Sequence, residues 1–552
     1  MNIKLLKIGM KRFLLMAILL ALSLGDLTHA QSPDNYPPDD TTVVIDRTNL
    51  PIVWIDVDGK MIERQERISA RMKIIHNGKG RFNYADTIAH PGQTIDYEGP
   101  IALRYRGNSS YSMSDKKPYS FRTLSQPLEM GYDKKKVSIL GMGKDNNWAL
   151  LAPYADKSMI RDLLAFELAR PWMEYTPQGR LCEVYLDGIY YGVYVLCEVV
   201  SKGKHRLNLD DPGHEGDALT GGYMMEVSAN EGMYHISKYH PMNHSNGVVY
   251  TDSYILFQYK IPDYEDMTWD QINYINTRVD EMEDAFASPN FKDPEVGYRK
   301  YIDVESFIDY QLSMELGHNP DAYRLSAKFY KRRDSIDDRF KMAVWDMNLA
   351  YGNCRHNNGW RTDTWVSMGN SFMHSNGDYL IPFWWYKLSK DNYYVVQRKE
   401  RWIAYRENNV RLDRVLATID SLANEVTAFG AEERNAKAWP RWGEWVWPNY
   451  YVANSYQEEI DYIKDWITTR ISWIDARYGY TPPPLPPPDP EYLKGDVNGD
   501  GQVNIADINV LVDIVLGGEY MDDVMARADV NEDREVNIAD ISALVDIILS
   551  SD

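Results

Sequence analysis

D-V-N-G-D-G-Q-V-N-I-A-D at residues 496–507 and D-V-N-E-D-R-E-V-N-I-A-D at residues 529–540 decide the reading of the C-terminal tail. They sit inside a longer repeat: residues 495–518 and 528–551 align 33 positions apart with 15 of 24 identical, so the tail is one unit used twice. Each copy opens on spaced acids and amides and runs into an apolar stripe at helical spacing, Ile508, Leu511, Val512 and Val515 or Ile541, Leu544, Val545 and Ile548. Calcium takes hard oxygens from loop positions 1, 3, 5, 7, 9 and 12. The first loop offers Asp496, Asn498, Asp500, the carbonyl of Gln502, Asn504 and Asp507, with Gly501 for the sharp turn. The second offers Asp529, Asn531, Asp533, the carbonyl of Glu535, Asn537 and Asp540, with Arg534 in the glycine position. Two acidic turns could be merely solvated, but duplication with every ligand position filled favours two bound Ca2+.

On these residues the tail resembles a type I dockerin, the loop–helix pair that docks onto a cohesin of a scaffold protein. Aspartate rather than glutamate at position 12, and the lack of a helix before the first loop, fit that family. The resemblance implies that positions 10 and 11 read the partner; here they are Ile505-Ala506 and Ile538-Ala539, apolar where many dockerins carry hydroxyls.

Outward from the tail, T-P-P-P-L-P-P-P-D-P at 481–490 predicts a stiff, extended linker. The expected organisation is a leader peptide at 1–30, a flexible segment at 31–50, a body at 51–480, the linker at 481–492 and the dockerin-like tail at 493–552. Lys4, Lys7, Lys11 and Arg12 precede a 12-residue apolar run, Phe13 to Leu24, and the exit Thr28-His29-Ala30. That run is too short to span a bilayer, so an exported protein with no membrane span is expected. Loss of residues 1–30 would take the formal charge from −21 to −24, a poor match for nucleic acid. Three cysteines, Cys182, Cys197 and Cys354, exclude a disulfide scaffold. Cys182 and Cys197 flank a hairpin turning at Asp187-Gly188, whose two-residue register sets Cys182 opposite Val193, so no bridge between them is expected.

The body reads as strands early, at 101–106, 181–186 and 192–200, and helices late. Ile272, Ile275, Val279, Met282 and Phe286 form one stripe, and Ile460, Ile463, Ile467, Ile471 and Ile474 another. The fold class expected is α+β, with a small all-α calcium-binding tail. Zinc-helix, nucleophile-elbow and phosphate-loop motifs are missing from the sequence. What stands out is charge embedded in apolar or aromatic surroundings: Arg106, Lys116, Lys117, Arg161, Glu198, Glu226, Asn319, Asp321, Asp346 and Asn348. Each alone is more often a satisfied structural pair. Together they supply cations for phosphate, a carboxylate to orient a lysine, and Asp/Asn oxygens for magnesium.

The ordered strings R-G-N-S-S…K-K-P-Y-S-F, A-P-Y-A-D-K-S-M-I-R-D, V-Y-L-D-G-I-Y-Y-G-V-Y-V-L-C-E, N-P-D-A-Y-R-L-S-A-K-F-Y-K and W-D-M-N-L-A-Y-G-N resemble those of the spore coat protein H (CotH) family of atypical kinases, from about residue 52 to 353 and less clearly to 480. The resemblance implies a two-lobed, reduced protein-kinase-like body that binds ATP with Mg2+ or Mn2+ and transfers the γ-phosphate to Ser/Thr of an associated protein. It assigns Lys117 to phosphate with Glu198 as its partner, Arg106 and Arg161 to the cofactor, Asp321 to general base, and Asp346 to metal. Asn348 stands where the family has a second aspartate, which removes one compensating charge from the metal. The alternatives are a catalytically silent binding module or a carbohydrate-active component of a polysaccharide-degrading complex. Eleven tryptophans between Trp360 and Trp473 would serve polysaccharide if exposed and the core if buried; Trp439, Trp442, Trp445 and Trp447 decide between the two.

Overall fold

The computed structural model describes residues 35–228, 232–372, 379–483, 493–531 and 535–550. The expected leader peptide at 1–30 and most of the proline-rich linker lie outside the described residues. The described residues from Pro38 onward belong to one compact unit.

The early strands close on themselves. Ile52–Asp56, Ile68–Ile75, Ile95–Tyr105, Tyr119–Thr123, Asn147–Leu151, Ile189–Glu198 and Gly179–Leu186 form a seven-stranded barrel in that order. The seam is the parallel pairing of Ile52–Asp56 with Gly179–Leu186, Ile52 opposite Glu183. Closure leaves no strand edge to manage. Tyr105, Tyr119 and Tyr194 pack inside, with ring centroids 5.5 and 5.9 Å apart, because alternate side chains of each strand point inward.

The hairpin at Asp187-Gly188 forms as expected, both turn residues having positive φ (46° and 81°). Its register differs by one: an irregularity at Val184/Tyr185 sets Val184 opposite Gly192, so Cys182 faces Tyr194 rather than Val193. All three cysteines are free and buried.

A second, five-stranded sheet runs Tyr234–Ile236, Leu256–Ile261, Tyr223–Val227, Ala327–Lys331, Lys341–Ala343. Helices Trp269–Ala287 and Val304–Gly317 bury side chains in the same core as this sheet. The first helix starts on a Thr268/Gln271 capping box and buries all five residues of its predicted stripe. The second predicted stripe lies on Tyr456–Tyr478, which begins at the Ser455 N-cap, ends on left-handed Gly479 and buries all five isoleucines. Each such side chain contributes roughly 1.5–3 kcal/mol on burial. One apolar core links barrel strand Gly179–Leu186, helix Arg161–Ala169 and the late helices. In the tail, Ile505–Val515 and Ile538–Ser550 pack through Leu511, Ile514 and Leu544.

Candidate functional site

A cleft of about 1880 Å³ is lined by barrel residues and by residues of the second sheet and its connecting loops. Barrel strand Tyr119–Thr123 presents Ser120 and Arg122 to it, while Tyr119 and Phe121 are buried. Arg104 and Arg106 reach it from Ile95–Tyr105 and the residue beyond.

Opposite them, helix Val304–Gly317 ends on His318 in the left-handed conformation, and the chain turns through Asn319. Asn319 braces the two loops: its Oδ1 accepts from the Asp321 amide (3.1 Å) and its Nδ2 donates to the Asp346 carbonyl (2.9 Å). Asp321 also receives Arg324 Nη2 at 2.6 Å. Burial raises its carboxyl above the ordinary range; Arg324 opposes this and the neighbouring charge of Asp346 reinforces it. Asp346 follows strand Lys341–Ala343, has φ 62°, and accepts from Ser326 Oγ at 2.9 Å. Asp162 receives the Met347 amide at 2.8 Å and is pushed up to about 7 by burial and then by Asp346. Among the described residues, 12 that are not glycine have positive φ, and seven of these fall between His318 and Asn358. Strain of this kind, of order 1–3 kcal/mol each, persists where surrounding structure imposes it, commonly at functional sites.

The cleft also holds an ion pair whose lysine is absent from the expected set. Lys328 of Ala327–Lys331 stands directly opposite Glu226 of Tyr223–Val227, and the two form an ion pair. Burial lowers Lys328 to about 7, against the pull of Asp346. Arg106 lies over the Trp345 ring, 5.0 Å from its centroid, with a buried Nη1 that has no hydrogen-bond partner among the described residues. Of the residues singled out in the sequence, Arg106, Asp321, Asp346 and Asn348 all line this cleft.

Three predicted ligand residues are elsewhere. Lys117 donates to the carbonyls of Tyr111 (2.7 Å) and Ser114 (2.6 Å) and is not at the cleft, whereas its neighbour Pro118 is. Strand alternation explains this: Pro118, Ser120 and Arg122 share the cleft face, and Lys117 falls on the other. Glu198 does not meet Lys117. It accepts from the Gly143 and Gln178 amides and from Tyr175, and pairs with Arg206 at 3.3 Å. Arg161 is 0% exposed, held between Asp156 (2.6 Å) and Glu459 (2.7 Å), and donates to the Ala350 carbonyl. It is a structural cation whose neighbour Asp162, rather than itself, faces the cleft. Glu226 is visible in the sequence as a charge within an apolar strand. Lys328 lies in the quoted R-L-S-A-K-F-Y-K string, but only its cross-strand register to Glu226 singles it out.

Five of the eleven tryptophans, Trp384, Trp385, Trp402, Trp439 and Trp466, are buried in the core. Trp447 lines the cleft beside His356. Trp442 packs partly buried on the core, and Trp445 is 52% exposed.

The tail loops have the expected form. Asp496 accepts from the Asp500 and Gly501 amides, Asn498 from Asp500, and Asp500 from Gln502. Asp507 closes the loop on the Asn498 and Asn504 amides, and Asn504 caps the helix that follows. In the second loop Asp540 takes the amides of Asn531 and Asn537 in the same way. Asp529 and Glu535 lie in that loop too, whereas Asp533 and Arg534 lie outside the described residues. Among the described residues no three His, Cys, Asp or Glu side chains converge on one point.

No curated protein matches the chain. The CotH kinase protein family matches residues 103–474, and the dockerin type I domain matches residues 494–549. The chain belongs to the CotH kinase protein family and ends in a type I dockerin, which implies Ca2+ binding and a cohesin as its partner.

Proposed function

We propose that the body is a two-lobed, kinase-like phosphotransferase, exported and held on a cohesin-bearing scaffold by its dockerin, that passes the γ-phosphate of ATP to a Ser/Thr hydroxyl of an associated protein. The observation that carries this reading is the convergence of Arg106, Lys328, Asp321, Asp346 and Asn348 on one cleft. Lys328, oriented by Glu226, takes the phosphate-contacting role that the family resemblance implied for Lys117. Arg106 adds a fixed cation for phosphate oxygens. Asp346 and Asn348 would hold magnesium, which when bound neutralises phosphate charge. Asp321, its pKa raised, accepts the hydroxyl proton as the hydroxyl oxygen bonds to the γ-phosphorus. The bond between that phosphorus and the bridging oxygen breaks, and ADP leaves with the electron pair.

Calorimetric titration of MgATP into the full chain tests the reading, with Asp346→Ala and Lys328→Met alongside. Saturable binding that is weakened at least tenfold in both variants supports it. Absence of nucleotide binding, with saturable binding of xylan or cellulose oligosaccharides instead, would favour a silent CotH-like module acting on polysaccharide.

A further inference from the structure

The tail is seated on the barrel. The loop between Ile68–Ile75 and Ile95–Tyr105 is braced internally: Asn83 is fully buried and donates to the Leu50 carbonyl, and Phe82 packs edge-on against Phe429, 4.7 Å between centroids. Its outer surface meets the dockerin. Arg81 forms an ion pair with Asp513, donates to Tyr520 Oη at 3.0 Å, and lies 4.8 Å from the centroid of the Tyr520 ring. Tyr84 donates to Glu519 at 2.7 Å, and Lys79 to the Gly499 carbonyl at 2.9 Å. The backbones touch as well, the Met521 amide donating to the Gly80 carbonyl at 3.0 Å. A Cβ on Gly80 would come within 2.9 Å of Val524 Cγ2, so the close approach depends on glycine there.

Charge favours the same fit. Residues 493–552 carry 14 carboxylates against Lys494, Arg527 and Arg534, and the loop offers them two cations on a rigid support. The surface used on the dockerin, residues 513–524 with Gly499, leaves out the pairs at loop positions 10 and 11. Ile505 and Ile538 are each 72% exposed.

We propose that barrel residues 79–84 are an intramolecular seat for the dockerin, a clasp that fixes the body's orientation while leaving Ile505-Ala506 and Ile538-Ala539 free for the cohesin. A scaffold would then present the cleft at a set angle rather than on a swinging tether. The proposal is independent of whether the cleft transfers phosphate.

Small-angle X-ray scattering of the full chain in saturating calcium tests it. Lys79→Glu/Arg81→Glu reverses both cations of the seat, and circular dichroism serves to confirm an intact fold. Release would let the 12-residue linker extend at ~3.1 Å per residue, so the maximum dimension is expected to rise by roughly 20 Å or more. Adding Asp513→Lys/Glu519→Lys to that variant should return it toward the wild-type value. The proposal is overturned by a wild-type profile already as extended as the double variant, by a double variant whose profile superimposes on wild type, or by a quadruple variant that stays extended.

Discussion

Replacing Arg161 with methionine separates a structural cation from a ligand-binding one. Its guanidinium is enclosed, with Asp156 and Glu459 each within 2.7 Å and both nearly buried, and with the Ala350 carbonyl as a further acceptor. Burial works against the charge, but the two carboxylates overcome it and raise the pKa. Methionine keeps the volume and removes the cation, leaving two acids to face each other in a medium of low polarity. Asp156 retains the Ser158 hydroxyl and the residue 161 amide as donors, which softens its share. The cost of breaking such a pair is about 3–5 kcal/mol. In urea this should lower the midpoint of body unfolding by roughly 1 M. Adding Glu459→Gln to Arg161→Met should recover part of the loss by removing one stranded charge. A stability loss below about 1 kcal/mol would refute the reasoning. So would loss of MgATP binding with the urea midpoint unmoved, which would return Arg161 to the ligand set.

Other consequences can be checked separately. Lys328→Met should lower kcat/KM for phosphate transfer by about 100-fold, roughly 2.7 kcal/mol of transition-state stabilisation, whereas Lys117→Met should act on stability and leave transfer within about threefold. Burial holds the His244 imidazole down to about 4 from 6.5, so between those values the unfolded chain binds a proton that the folded chain refuses. Stability should therefore fall as pH drops through that window, by about 3 kcal/mol across it, and urea midpoints for His244→Gln should show a shallower acid slope. Chelating calcium should melt Ile505–Val515 and Ile538–Ser550 while the body stays folded, because the loop carboxylates then repel one another. A far-ultraviolet spectrum unchanged by chelator would contradict the calcium reading of the loops.

The helices were legible because period alone carries them: the Ile272 and Ile460 stripes repeat at helical spacing and are buried as such. The tail loops were legible because their acids and amides recur at fixed spacing within one short stretch, residues 496–507 and again 529–540. Barrel closure was not, since it depends on Ile52–Asp56 meeting Gly179–Leu186 across more than a hundred residues, and no local pattern encodes that pairing. The cleft was half legible. Asp321, Asp346, Asn348 and Arg106 sit in turns or strand ends where the motif string fixes their place. Lys117 and Lys328 are lysines in or beside strands, and which one faces the cleft is a matter of one residue of alternation. The Cys182 register slipped for a related reason, the irregularity at Val184/Tyr185.

The most direct test of the proposed activity is transfer of labelled γ-phosphate from ATP, with Mg2+ or Mn2+, by the full chain and by Asp346→Ala and Asp321→Asn. The account predicts label on the chain itself or on co-secreted protein Ser/Thr, reduced at least 100-fold in both variants. Label that persists undiminished in both variants, or none from the wild type under conditions where MgATP binds, would contradict it.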